Sequence, residues 1–166
     1  MVHKTRKSCK KSIEHHHMLL RLETKLCPHK ADESRFTSMI KSIVDDLDMK
    51  ALDIPRSYYV DAPKGESGMT AFVPIETSHI AAHFWNHPDP KLLHHPESRS
   101  LLQFDVYTCG LLTKKQITHV LHRLTQFEPT HANIDVINRK TTLHMDIASQ
   151  WDLRKKTWDA WLQTMN

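Results

Sequence analysis

Disulfide cross-linking has almost no material to work with: Cys9, Cys27 and Cys109 are the only cysteines in 166 residues. They are too few and too unevenly spread for the framework of a small secreted domain. A reducing, cytoplasmic setting is the expectation, and it leaves Cys109 free for chemistry. Long apolar runs are missing as well. No stretch approaches the roughly 20 residues needed to cross a bilayer. The N-terminal MVHKTRKSCKKS has the charge of a secretion signal without its apolar run, so no membrane association is expected. A large excess of charge is absent too. The formal net charge is +4, much of it in Lys4, Arg6, Lys7, Lys10 and Lys11. That pattern reads as a solvated basic tail over residues 1–12 rather than as a nucleic-acid surface.

What remains, at 39% apolar and 25% charged, is the balance of one globular domain with a real core. HHHMLLRLETK alternates Met18, Leu20 and Leu22, the period of a half-buried strand, and its three histidines lead straight into that strand. DESRFTSMIKSIVDDLD sets Phe36, Met39, Ile40, Ile43, Val44 and Leu47 at helical steps, with Asp32 or Ser34 available as a cap. RSYYVDAP reads as a strand, KGESG as a turn, and MTAFVPIETSHIAAHFW as a long β region whose Pro74 suggests an edge or a bulge. NHPDPKLLHHPESRS is a proline-rich loop, long for a hairpin connection, that leads into the strand LLQFDVYTCG. TKKQITHVLHRLTQF opens with Thr113 and Gln116 in capping-box spacing, and HANIDVINR is a further strand. From about Ile147, the residues Trp151, Trp158, Trp161 and Leu162 fall roughly on one helical stripe. The expected fold class is therefore α+β, a two-layer sandwich with an antiparallel-rich sheet and helices on one face. The expected organisation is a domain over residues 13–142 followed by a C-terminal helical extension over 143–166.

Alternation also assigns faces. In SHIAAHFW, Ile80, Ala82 and Phe84 share the core side while His79, Ala81, His83 and Trp85 share the other. In LLQFDVYTCG, Leu102, Phe104 and Val106 join the core, leaving Gln103, Asp105, Tyr107 and Cys109 opposite. His83 and Cys109 are thus expected on one sheet face away from the helices, a candidate site that a partner subunit could complete.

Ser78-His79-Ile80, His83 followed by Trp85, and FDVYTCG ending in Cys109-Gly110 resemble the prokaryotic S-adenosylmethionine decarboxylases, which make their own pyruvoyl cofactor. The likeness runs in order over most of residues 16 to 140, and PKGESG resembles the glycine-serine turn of that family. The resemblance implies that the Ser78 hydroxyl attacks the carbonyl of Thr77. An N-to-O acyl shift and elimination then cut the chain between Thr77 and Ser78 and leave a pyruvoyl group at residue 78. That ketone forms a Schiff base with the α-amine of a small-molecule substrate and accepts the electrons released with carbon dioxide. By the same resemblance His83 assists self-cleavage, Ser67 is the hydroxyl helper with Thr70 as its rival, and Cys109 returns a proton after decarboxylation. A homodimer or higher homo-oligomer, in which a second subunit covers the open sheet face, is expected.

The sequence also departs from the family pattern. Thr77 stands where the family has glutamate or lysine. Asp61, ahead of Ala62-Pro63, replaces an aromatic that stacks on adenine, and Trp85-Asn86-His87 replaces Trp-Pro-Glu. A substrate-binding role for Asp61 and Trp85 then admits, beside S-adenosylmethionine, a basic amino acid such as ornithine or arginine, whose cationic side chain Asp61 could pair. An uncleaved relative that binds a ligand or partner is the remaining alternative. A metal site among His79, His83, His87, His94 and His95 is not expected. On a strand His79 and His83 stand roughly 13 Å apart, too far to share an ion. A cysteine hydrolase built on Cys109 lacks a following helix N-terminus.

Overall fold

The alternating stretches pair into a single antiparallel sheet in the computed structural model, which describes residues 14–63 and 67–165. In chain order the elements are β1 (His16–Thr24), α1 (Glu33–Asp46), β2 (Arg56–Val60), β3 (Gly68–Ile75), β4 (Ser78–Asn86), β5 (Ser100–Thr108), α2 (Lys114–Leu124), β6 (Pro129–Asn138), β7 (His144–Asp152) and α3 (Trp158–Met165). The strands lie in the order β2-β3-β4-β5-β1-β6-β7, every neighbouring pair antiparallel. The fold is α+β, as the sequence implies. The basic tail over residues 1–12 lies outside the described residues.

Period-two alternation delivers one apolar face to the helices. Met18, Leu20 and Leu22 of β1 meet Ile80, Ala82 and Phe84 of β4, Leu102, Phe104 and Val106 of β5, and Ala132, Ile134 and Val136 of β6 in one buried cluster. The helices close it with Phe36, Ile40 and Ile43 of α1 and Ile117, Val120, Leu121 and Leu124 of α2. Each such large side chain, fully buried, contributes about 1.5–3 kcal/mol. Helix α2 starts as its spacing requires. The Thr113 hydroxyl accepts the Gln116 N–H at 3.2 Å, and the Gln116 carboxamide oxygen accepts the Thr113 N–H at 3.0 Å. Asp32 caps differently from expectation: its carboxylate accepts the N–H of His29 at 2.8 Å, which serves the 3-10 turn Lys30–Asp32 ahead of α1.

The C-terminal segment is not a helical extension. Residues His144–Asp152 form β7, paired along β6, and only Trp158–Met165 is helical. The residues 147, 149 and 151 alternate inward from β7 as well as they fit a helix, and the free edge of β6 decides the outcome. Trp151 and Trp161 are both buried, and their indole N–H groups donate to the Lys156 carbonyl and the Ser149 hydroxyl, each at 2.9 Å. The segment therefore completes the same sheet and core. Pro74 is not on an edge strand. Strand β2 pairs only as far as Phe72, so Pro74 stands beyond its end, and its carbonyl accepts the Leu52 N–H at 2.9 Å. Among the described residues no helix is long and apolar enough to cross a membrane.

Candidate active site

Strands β3 and β4 are joined by a two-residue turn, Glu76-Thr77, closed by the pair Ile75 and Ser78. Ser78 begins β4 with φ of 153°. A residue with a Cβ is strained there by on the order of 1–3 kcal/mol, and such strain collects at reactive positions. The carbonyl of Thr77 points across to the end of β5, where the Cys109 N–H donates to it at 3.1 Å. The Thr108 hydroxyl donates to Thr77 Oγ1 at 3.0 Å, and the Gly110 N–H donates to Thr108 Oγ1 at 3.0 Å. Thr77, Ser78 and Cys109 thus meet because the N-terminal end of β4 lies beside the C-terminal end of β5, where Ser78 pairs with Thr108.

The imidazole beside the serine is His79. Its Nδ1 is 3.2 Å from Ser78 Oγ, and its Nε2 is 3.2 Å from Asp105 Oδ2. Asp105 also holds His17 Nε2 at 3.5 Å. Tyr107 packs between His17 and His79, with the Arg139 guanidinium 4.5 Å from its ring centre. Burial, partly offset by Asp105, pushes the His17 imidazole below its ordinary value. Alternation in the sequence puts His79, Asp105 and Tyr107 on the open face but assigns them no role. The relay from serine to imidazole to carboxylate becomes visible only when the β4–β5 register sets Ala81 opposite Asp105.

The other expected site residues gather elsewhere. His83 pairs with Gln103, six residues before Cys109 along β5, on the order of 20 Å away along the strand. The two do not share a site within one chain. His83 Nδ1 lies 2.5 Å from Thr70 Oγ1, and its ring meets the edge of Trp85 at 4.0 Å between centroids. Burial pushes its pKa below the ordinary histidine value. Thr70, not Ser67, is therefore the hydroxyl against His83. Ser67 bonds back to Ala62 instead, donating to its carbonyl at 2.7 Å and accepting its N–H at 3.0 Å. Its own carbonyl accepts the Asn86 N–H, at the far end of β4 from Ser78. The exposed Asp61 stands beside it, 3.5 Å from Ser67 Oγ. Gly68 is obligatory at this corner, because a Cβ there would sit 1.8 Å from the Phe84 carbonyl oxygen. Asn86, in place of a family proline, is buried and donates to the Pro28 carbonyl at 2.7 Å, which makes it a structural residue.

The open face carries more than these two groups. Tyr58, Val60, Phe72 and Leu19 are exposed on it, and a basin of about 740 Å³ crosses its centre over Leu19, Gln103, Asp105, Asn133, Asp135 and Gln150. Exposed apolar side chains thus flank a polar basin on this face.

A family model for S-adenosylmethionine decarboxylase matches residues 16–140, about three quarters of the 166-residue chain. The match runs from β1 through β6 and takes in Ser78, His83 and Cys109. None of the curated proteins compared with the chain matches it.

Proposed function

Because the chain belongs to the S-adenosylmethionine decarboxylase family, a family of decarboxylases, we propose that it cuts itself between Thr77 and Ser78. The pyruvoyl group left at residue 78 would then serve decarboxylation of an acid that bears an α-amine. One observation carries the reading: Ser78 is held at a strained positive φ, with the Thr77 carbonyl polarised by the Cys109 N–H and with His79 against its hydroxyl.

His79 Nδ1 is placed to take the Ser78 hydroxyl proton, with Asp105 steadying the imidazolium through Nε2. Ser78 Oγ then attacks the Thr77 carbonyl carbon, and the developing oxyanion is met by the Cys109 N–H as in an oxyanion hole. The C–N bond breaks, leaving an ester and a free amine on residue 78. Loss of the Ser78 Cα proton expels the Thr77 carboxylate and cuts the chain. Hydrolysis with release of ammonia leaves the ketone. The residues present fit such a group: the new end sits on an anchored strand, and Cys109, a free cysteine, lies at that end. The group supplies an electron sink for the carbon that loses carbon dioxide. Cys109 Sγ is the proton donor to that carbon.

His83 and Thr70 complete this arrangement only in a dimer. They lie about five residues down β4 from Ser78, roughly 16 Å along an extended strand, beyond any proton transfer within one chain. A second copy laid antiparallel on the open face would bring its His83–Thr70 pair to the first copy's Ser78 and cover the exposed apolar side chains. S-adenosylmethionine is the substrate implied by the family. An ornithine- or arginine-type substrate is the second reading, favoured by Asp61, an exposed carboxylate at the His83–Trp85 end that pairs with no cation among the described residues.

Denaturing mass analysis of the purified chain tests the proposal. Two fragments, 1–77 and 78–166, with the larger blocked to N-terminal sequencing, are expected, together with carbon dioxide release from one of the three substrates. A single intact mass that persists on long incubation would leave a non-catalytic, ligand-binding relative.

A further inference from the structure

The proline-rich segment between β4 and β5 is tied to the rest of the sheet through one carboxylate. Glu23, the penultimate residue of β1, has a fully buried side chain. It accepts the N–H groups of His94 at 2.9 Å and His95 at 3.1 Å and the Ser98 hydroxyl at 2.8 Å. His94 Nδ1 lies 2.7 Å from Glu23 Oε1, and His131 Nδ1, from β6, lies 3.7 Å from the same oxygen. The two imidazoles are stacked, 4.5 Å between centroids and 13° from parallel. The three donor atoms lie within 4.8 Å of one another.

A second observation is independent of the cluster's own bonds. His131 is 1% exposed, and its Nδ1, aimed at Glu23, has no hydrogen-bond partner among the described residues. A buried imidazole nitrogen without a partner is costly, and this one is not left free by chance of rotation. The Gln150 carboxamide holds the other ring nitrogen, Nε2, at 2.8 Å. The atom at that contact is the amide nitrogen of Gln150; a half-turn of the amide puts its oxygen there to accept Nε2–H, and Nδ1 then carries a lone pair directed at the carboxylate. This is how an outer hydrogen bond orients a metal-ligating histidine.

We propose that Glu23, His94 and His131 form a binding site for a divalent transition-metal cation of the zinc type, which staples the 87–99 segment to β1 and β6. Two imidazole nitrogens and one carboxylate oxygen are a recurrent donor set for that ion, and its bond lengths of about 2.0–2.2 Å require donors about 3.4 Å apart. The present separations of 2.7 and 3.7 Å bracket that value. His94, the member that must shift, is exposed on the loop. A water can fill the fourth position from the solvent side. Arg21 opposes the cation, since its Nη1 also lies 2.7 Å from Glu23 Oε1. It is anchored independently through Nη2 to the Leu92 carbonyl, so Nη1 can withdraw.

The site does not depend on the decarboxylase reading, and its test needs no activity. The full chain is titrated with zinc by calorimetry and with cobalt by visible absorption, which reports the ligand field. One cation per chain is expected at this site. At least tenfold weaker binding and loss of the cobalt band are expected in His94→Ala, a loop variant that leaves the core intact, and in His131→Asn. Arg21→Gln should bind at least as tightly as the parent chain. Cation binding unchanged in both histidine variants, or carried only by His15 to His17, overturns the proposal, as does no binding at about 100 µM zinc, a loose threshold for a three-ligand site.

Discussion

If residue 78 is served by a histidine from another copy of the chain, two inactive variants should repair each other. Ser78→Ala removes the nucleophile, and His83→Ala removes the imidazole that sits with Thr70 near the far end of β4. Within one chain the two positions are separated by five residues of extended strand, roughly 16 Å, whereas proton transfer requires about 3 Å between heavy atoms. A heterodimer of the two variants holds one site with both groups mutated and one with both intact. The intact site cuts the His83→Ala chain. With equal amounts and random pairing, about half of all dimers are mixed, so about half of the His83→Ala chains and about a quarter of all chains should be cut. Co-expression with distinguishable tags, followed by denaturing electrophoresis, reads this directly. Cleavage no greater than in His83→Ala expressed alone would refute the shared site. Cleavage of the Ser78→Ala chain would refute the assignment of the nucleophile.

Other outcomes follow from the same geometry. His79→Ala should slow self-cleavage by at least about 10²-fold, the usual contribution of a general base, followed as the rate of fragment appearance, while Asp105→Asn should give a smaller loss. Cys109→Ala keeps the backbone N–H on the Thr77 carbonyl, so the chain should still split while carbon dioxide release falls by about 10²-fold or more. Gly68→Ala forces a Cβ against the Phe84 carbonyl oxygen and should cost at least about 2 kcal/mol in urea denaturation. Burial holds the His83 imidazole below its ordinary value of 6.5. It therefore stays neutral at pH 7, and both cleavage and the stability contributed by the neutral buried ring should persist down to pH 6.5 and fall at more acid pH. A pH–rate profile of cleavage, compared with a pH–melting profile, checks both.

Much of this was legible in the sequence because it rests on local periodicity. Met18, Leu20 and Leu22 of β1, the apolar stripes of α1 and α2, and the Thr113–Gln116 cap depend on neighbours no more than a few residues away. The proline-rich segment after Asn86 is local as well, whereas the turn at Glu76-Thr77 divides into β3 and β4 what reads in the sequence as one long β region. What could not be read is register. Whether Ser67 or Thr70 meets His83 depends on how many residues the hairpin at Glu76-Thr77 consumes, and the extra residues after Ser67 move that serine past the end of β4. The His79–Asp105 contact and the cluster of Glu23, His94 and His131 join residues distant in sequence, and no spacing rule announces them. Residues 144–152 misled because Trp151, Trp158 and Trp161 fit a helical stripe, while the open edge of β6 offered a ladder.

A cut at residue 77 would not produce two bodies. The first piece would hold β1, β2 and β3, and the second β4 to β7, yet β1 lies between β5 and β6 while β3 flanks β4. The pieces are interleaved like the fingers of clasped hands, and neither could leave without stripping ladders from both. Scission must follow folding, since only the assembled sheet presents the strained serine to the Cys109 N–H. The severed protein should then melt as one cooperative unit, its backbone ends anchored where the reactive carbonyl has to stand still.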